Sequence, residues 1–412
     1  MPPLRAAMAT LVALALALAA APTSLHHDAS SAATERASSQ PNIVVVMADD
    51  MRVDELLFAP SIRKLVAARG LQFENSFSPY PLCCPARASF LTGQYAHNHR
   101  VDWHDRPLGY GAFDDSRTLA TSLRRAGYRT GFIGKYLNGY GRMRSKVSGK
   151  PSWRYVPRGW TDWVGALENP GGNRFHGDTY NYFDTPFNVN GRIDNRYRGR
   201  YQSNVIGDFS VRLARKYSRT ARPFFLYVNY VAPHYGGPRE RDDIRTARRT
   251  DGKIETFRSP ARPRWVRGRY NTIIKRGAGV PRGGGPLEAS VKDKPPPFSG
   301  LPEPTRRELR ALRELTRQRA EAIHVMDRQV RRLIRALKRA GSWDDTVFVF
   351  TSDNGYFLGE HRMRTGKVRA HEPSLRVPLV VTGPGMRQGQ KRYDPITTLD
   401  LSASILDLAG AR

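Results

Sequence analysis

The only two thiols of this 412-residue chain stand side by side, in Cys83-Cys84-Pro85-Ala86-Arg87-Ala88-Ser89-Phe90-Leu91-Thr92-Gly93. A disulfide between them would be strained and would close no loop, because bridged residues keep their Cα atoms ~5.5 Å apart whereas successive Cα atoms sit ~3.8 Å apart. The pair therefore points to chemistry at one thiol. The alternative is a reduced, buried pair that merely opens a helix. Pro85 suits the first turn of a helix and Gly93 its end, so Cys83 is expected at or just before a positive helix terminus. There the free N–H groups and the guanidinium of Arg87 favour an oxyanion-rich ester.

Two acidic dipeptides invite a second kind of chemistry. Asp49-Asp50 and Asp353-Asn354 each follow an apolar run. In open α/β sheets ligands bind beyond the carboxyl ends of the strands, so the two pairs could meet at one sheet edge. For Asp49-Asp50 the alternative is an N-cap for the next helix. Three carboxylates and an amide oxygen suit a hard divalent cation, and their mutual repulsion is hard to sustain without one. Sulfur and imidazole ligands in any zinc-like spacing are missing.

Together these stretches resemble the sulfatase family. C-x-P-x-R followed by Leu91-Thr92-Gly93 is similar to its signature, in which the first cysteine is oxidised after translation to formylglycine. The resemblance makes Cys83 the converted residue, with Ala86 where most such signatures carry Ser, and implies a formylglycine-generating enzyme as maturation partner. It also implies one calcium ion, with Asp49, Asp50, Asp353, Asn354 and the side chain at Cys83 as its ligands. Gly134-Lys135-Tyr136-Leu137-Asn138 resembles the family's G-K motif, Ala232-Pro233-His234 its P-H turn, and Gly366-Lys367 through Pro378 its late lysine segment. Many sulfatases place a histidine just after the G-K lysine, where this chain has Leu137 and Asn138. That K-Y-L-N form resembles the N-acetylglucosamine-6-sulfatase and extracellular heparan 6-sulfatase branch. His361, in Gly359-Glu360-His361, is the candidate to share the work of the elimination base, its alternative being a histidine at the rim.

By the same resemblance, a hydrated aldehyde at position 83 attacks sulfur, with one hydroxyl ionised by calcium and Arg87. Lys135, Lys367 and His234 neutralise the sulfate oxygens and the leaving alkoxide, His234 acting as proton donor. The implied function is an exported, calcium-dependent sulfuric-ester hydrolase acting on a sulfated saccharide such as N-acetylglucosamine-6-sulfate. Two rival readings stand beside it: a phosphonate or phosphate monoester hydrolase on the same scaffold, and a polyanion-binding protein whose cysteine is never converted.

The elements that must position these groups alternate strand with helix, an α/β pattern without internal repeats. Runs 42–47, 130–133, 223–230, 346–350 and 377–381 predict buried strands of a mostly parallel sheet. Runs 61–69, 118–126 and 398–408 predict helices, and 308–340 predicts one long helix or two joined ones. Residues 153–201 read as loops or a small antiparallel excursion. Residues 236–300 read as a basic, loop-rich insert carrying Arg262, Arg264, Arg267, Arg269, Lys275, Arg276 and Arg282, either a substrate-facing flap or a solvated surface loop. The resemblance implies an alkaline-phosphatase-like catalytic domain over 41–412, lacking the small C-terminal subdomain with which sulfatases usually continue.

Residues 1–21, with Arg5 ahead of an Ala/Leu/Val run, read as a cleaved secretory signal, and 22–40 as a flexible leader. A hydrophobic content of 40% suffices for a globular core. Against 37 acidic residues the chain sets 67 basic ones, a formal charge of +30. Outside a cell such a field attracts sulfated polysaccharides, anionic wall polymers or membrane surfaces rather than nucleic acid. A GC-rich genome would produce the same arginine excess without any binding purpose.

Overall fold

Each apolar run expected as a strand is one, and the sheet they build extends well beyond them. The computed structural model describes residues 40–169, 175–244, 246–275 and 288–411. The expected signal over 1–21 and all but the last residue of the leader lie outside these, as do Arg276 and Arg282 of the insert.

The strands of the main sheet are β1 (Asn42–Asp49), β2 (Leu71–Phe73), β3 (Arg129–Gly134), β4 (Asp162–Ala166), β5 (Phe187–Val189), β6 (Arg192–Asp194), β7 (Phe224–Pro233), β8 (Thr346–Ser352), β9 (Leu379–Thr382) and β10 (Gln390–Arg392). Their spatial order is β10-β2-β9-β8-β1-β7-β3-β4-β5-β6. The five central strands, β8 to β4 in that order, pair in parallel. All of β7 and β8, and β1 after its first residue, are buried, as unbroken apolar runs in a parallel sheet require. Flanking these five, β9 runs antiparallel to β8 and β5 antiparallel to β4, so the sheet is mostly parallel, as expected. The small antiparallel excursion expected in 153–201 is β5 and β6, added to the edge of β4.

Side chains alternate across β1, and each face finds its own helices. Val44, Val46 and Ala48 pack with Val205 and Phe209 of α2 (Gln202–Tyr217) and with Ile323 and Val330 of α3 (Arg306–Arg339). Ile43, Val45 and Met47 pack with Phe90 and Leu91 of α1 (Cys83–Thr92) and with Leu401 and Ile405 of α4 (Thr398–Leu408). The result is a helix–sheet–helix sandwich. α3 is one helix, opened by a reciprocal capping box between Thr305 and Glu308.

The basic insert is better anchored than its composition suggests. Thr246–Arg248 and Ile254–Thr256 pair as an antiparallel hairpin. Arg262 is wholly buried, bonded to Glu240 at 2.6 Å, Asp242 at 2.6 Å and Glu321 of α3 at 2.8 Å. A planar guanidinium can be buried where several carboxylates offset its lost hydration, and a count of charges along the sequence does not reveal such partners. Arg264, Arg267, Arg269 and Lys275 are exposed, with Arg267 also paired to Glu240. Among the described residues no helix is long and apolar enough to cross a membrane.

Parallel pairing decides where the chemistry can be. β1, β3, β7 and β8 all end on one edge of the sheet, with Ala48 beside Ser352, Asp49 beside Pro233 and Gly134 beside Asn229. The residues at or just past these ends are the acidic pairs, Lys135 and His234.

Candidate active site

Leu82, in an extended conformation, caps α1, so Cys83 is its first residue, and Gly93 ends it in the left-handed region at φ 66°. Cys83 is buried, and its thiol donates to Asn138 Oδ1 at 3.2 Å. Burial pushes the Cys83 thiol pKa up, Lys135 and Lys367 offsetting this only in part, so the unmodified side chain is held as a thiol and is a weak nucleophile. Cys84 is buried too and is pushed higher still by burial and by Cys83. One turn along α1, Arg87 donates through Nε to Asp353 Oδ2 at 2.7 Å and through Nη1 to the Lys135 carbonyl and Asn229 Oδ1, both at 2.9 Å. Its Nη2 is buried without a hydrogen-bond partner among the described residues.

The acidic pairs meet as the strand ends predict. Asp49 Oδ2 binds Lys135 Nζ at 2.5 Å, and Asp50 Oδ1 accepts from Lys367 Nζ at 2.5 Å and Asn354 Nδ2 at 2.7 Å. Asp353 Oδ1 accepts the backbone N–H groups of Asp50 and Asn354 at 3.0 and 2.8 Å. Burial pushes the Asp49 and Asp50 carboxyls up, but the neighbouring lysines and His234 outweigh it and hold both below the ordinary value. Burial works against the Lys135 and Lys367 ammonium groups, and Asp49 and Asp50 respectively outweigh it, so both amines are raised.

Three acceptors of the site are buried with no hydrogen-bond partner among the described residues: Asp49 Oδ1, Asp50 Oδ2 and Asn354 Oδ1. Each such atom costs about 1–3 kcal/mol unless something satisfies it. Ligand atoms of Asp49, Cys83 and Asp353 lie within 4.8 Å of one another, as do those of Asp49, Asp50 and His234. Converging hard oxygens left without donors are what a divalent cation with oxygen ligands needs, so the donor set fits such an ion.

Local backbone structure serves this convergence. Asp50 adopts a left-handed φ of 66°, uncommon for a residue with a side chain. Its carbonyl accepts from Arg319 Nη2 at 2.6 Å, and Arg319 is clamped by Glu55 at 2.6 and 2.7 Å. Gly134, at φ 99°, brings its backbone so close to β7 that a Cβ would lie 1.8 Å from the Asn229 carbonyl oxygen. The glycine ahead of Lys135 is thus needed for a close approach.

His234 Nδ1 lies 2.7 Å from the Tyr235 carbonyl oxygen, which can only accept, so Nδ1 carries a proton and Nε2 faces Asp50 Oδ2 at 3.7 Å. Burial lowers its pKa, against the pull of Asp49 and Asp50. Tyr180 packs against this ring at 4.8 Å and its hydroxyl accepts from Asn138 Nδ2 at 2.6 Å.

All the residues singled out by sequence converge here except His361. Its Nδ1 is bonded to Glu288 Oε2 at 2.8 Å, and its ring packs with Phe298, Phe357 and His371. Asn138, Asn229, Tyr180 and the Arg319–Glu55 clamp went unassigned in the sequence. Asn138 was visible as the residue closing K-Y-L-N, three positions after Lys135. The others carry no local signal, because their partners are remote in the chain.

The sequence profile described as Sulfatase matches residues 41–411. An arylsulfatase of Volvox carteri is 30% identical over 391 residues, covering 91% of this chain and 56% of its own length. The extracellular sulfatase SULF-1 homolog of Drosophila melanogaster is 28% identical, with 92% of this chain and 30% of its own length covered. The N-acetylglucosamine-6-sulfatase of Capra hircus is 28% identical, with 91% and 61% covered. The chain thus spans between about a third and three fifths of the length of these relatives. The structure of a phosphonate monoester hydrolase from Silicibacter pomeroyi superposes with a TM-score of 0.59 at 23% identity, over 90% of this chain and 74% of the other, and so shares the alkaline-phosphatase-like fold. A profile matched from the first strand through the last helix reaches far beyond any single motif, and this chain belongs to the sulfatase family.

Proposed function

We propose that this chain, as one catalytic domain over 41–412, hydrolyses sulfuric esters of sugars outside the cell, using one calcium ion and a formylglycine made from Cys83 by a formylglycine-generating enzyme. The observation that carries the reading is the set of three unpartnered buried acceptors, on Asp49, Asp50 and Asn354, gathered with Lys135 and Lys367 beside the start of α1. Family membership, the sugar-sulfate and extracellular names of two relatives, and the formal charge of +30 support the substrate class and the location.

Asp49, Asp50, Asp353, Asn354 and the side chain at 83 would hold the ion, which when bound supplies Lewis-acid stabilisation of negative charge on oxygen. A formylglycine at 83 supplies, in its hydrated form, one oxygen to attack sulfur and a second through which sulfate is released. The remaining work belongs to the other side chains. Asn138, already bonded to the Cys83 thiol, orients the side chain at that position. Lys135 and Lys367 stay protonated beside Asp49 and Asp50 and bring positive charge to the ester oxygens. His234, with its Nδ1 proton held by the Tyr235 carbonyl, would need a second proton on Nε2, which Asp49 and Asp50 favour, and would hand that proton to the departing alkoxide. Arg87 fixes Asp353 and, through Lys135 and Asn229, ties α1 to the ends of β3 and β7. His361, engaged by Glu288, is given a place on the rim and no proton transfer.

Paired rates on nitrophenyl sulfate and nitrophenyl phosphate, with and without a calcium chelator, test the reading. Faster hydrolysis of the sulfate, lost on chelation and restored by calcium, is the expected result. A faster phosphate reaction would transfer the proposal to phosphorus esters, and no turnover by protein with an intact Cys83 thiol would favour a polyanion binder.

A further inference from the structure

Beside the catalytic edge, residues of the basic insert close a cavity of about 600 Å³ whose lining includes Tyr180, Tyr235, Arg239, Phe257, Arg258 and Ser259. That size suits a sugar-sized ligand. The cavity borders the candidate site, because two of its lining rings, Tyr180 and Tyr235, also pack against His234. The Tyr235 ring stacks on His234 at 4.2 Å, Tyr180 lies 4.8 Å from His234, and the two tyrosines stand 6.5 Å apart in a stacked orientation.

The walls are tied together by backbone hydrogen bonds. The N–H of Gly237 donates to the Tyr180 carbonyl and that of Tyr182 to the Gly237 carbonyl, both at 2.8 Å, and that of Gly236 donates to the Ser259 carbonyl at 3.1 Å. Phe257 is buried against Ala311 and Leu312 of α3, which pins the segment carrying Arg258.

The charges in the cavity are unbalanced in one direction. Elsewhere in the insert Arg249, Arg262 and Arg267 are paired with carboxylates. Arg239 and Arg258 are exposed, and among the described residues neither has a carboxylate partner. Arg258 lies 5.2 Å over the Tyr235 ring and reaches its hydroxyl at 3.4 Å. The one carboxylate among the described lining residues, Asp243, is already occupied: it accepts from the Glu240 N–H at 2.8 Å and the Ser259 hydroxyl at 3.0 Å, and faces Arg262 at 3.6 Å.

We propose that this cavity is a subsite for the sugar next to the one bearing the scissile ester, with Tyr235 and Tyr180 taking the sugar face and Arg239 and Arg258 taking a second anionic group, sulfate or carboxylate. The inference rests on the hydrolase reading and narrows it: the substrate is an oligosaccharide with at least two anions rather than a lone sulfated sugar. Tyr180 joins this subsite to the nucleophile's surroundings through Asn138, so occupancy of the cavity and placement of the side chain at 83 share a residue.

The test is calorimetric titration of the full chain carrying Cys83→Ala, which blocks turnover, with three disaccharides that share the ester to be cleaved. One bears a second sulfate on the neighbouring sugar, one a carboxylate there, and one neither. The subsite predicts that one or both dianionic ligands bind about tenfold tighter than the third, and that Arg239→Ala with Arg258→Ala abolishes the difference. Which of the two binds tighter identifies the anion. Equal affinities for all three ligands, or a preference that survives the double substitution, would overturn the proposal. Hydrolysis of the same disaccharides by the native chain is read separately, so a binding preference without turnover would uphold the subsite and sink only the hydrolase reading.

Discussion

At the scale of single residues, the site divides into groups that bring charge and groups that aim it. His234 has its Nδ1 proton committed to a backbone carbonyl, so under the proposed function a second proton, on Nε2, would serve the leaving group. A general acid matters in proportion to the basicity of the departing oxygen. His234→Ala should therefore slow hydrolysis of a sugar sulfate by roughly 100-fold or more while slowing nitrophenyl sulfate, whose phenolate needs little help, far less. Equal losses on the two substrates in steady-state kinetics would make His234 a positioning residue instead. Glu168 aims: it accepts the Gly139 N–H at 2.8 Å and Arg142 Nε at 3.0 Å, holding the turn that carries Asn138. Burial pushes its carboxyl up to about 7 despite the pull of Arg142. A folded pKa raised above the ordinary value near 4.5 gives stability that is fully present below about pH 4.5 and is lost as the pH rises through 7. Relative to Glu168→Gln, the native protein should lose up to about 3 kcal/mol between pH ~4.5 and ~8, measured by urea unfolding. A difference that does not change with pH would mean that Arg142 fully offsets burial.

At the scale of elements, what could be read in the sequence was what depends on nearest neighbours along the chain. Apolar runs gave β1, β3, β7 and β8, and the residues just past them gave the site, because parallel strands must end on one edge. β4 escaped because Asp162-Trp163-Val164-Gly165-Ala166 has neither alternation nor an unbroken apolar run. It is a strand because β3 and β5 pair with it on either side and Trp163 is wholly buried. The direction of β9 escaped because periodicity carries no polarity. Arg319 hid in a helix crowded with charges, and only its meeting with Glu55 and the Asp50 carbonyl marks it out. Gly134 is where an element's end and the site are one question. Gly134→Ala combines a left-handed φ with a Cβ 1.8 Å from the Asn229 carbonyl oxygen, so the strand end must move. The substitution should cost roughly 2–5 kcal/mol in denaturant unfolding and displace Lys135 from Asp49. An unchanged midpoint would show that the β3–β7 approach is slack.

At the scale of the whole molecule, the sequence's charge balance proved a partial guide. The formal +30 includes Arg262 and Arg319, both buried in carboxylate pairs, while Arg239 and Arg258 line a cavity with no carboxylate partner among the described residues. Composition gives only the sum of the charges; the fold tells which of them are paired. The ends of β1 and β8 meet the first residue of α1, where a buried thiol, poor as a nucleophile, sits near oxygens that lack partners among the described residues. That mismatch between encoded residue and surroundings is what conversion of Cys83 would resolve. Mass spectrometry of the peptide containing Cys83, from protein produced alongside a formylglycine-generating enzyme and active on nitrophenyl sulfate, examines this directly. The account predicts that residue 83 has lost sulfur and two hydrogens and gained one oxygen, with Cys84 unaltered. An intact thiol at position 83 in active protein would contradict it.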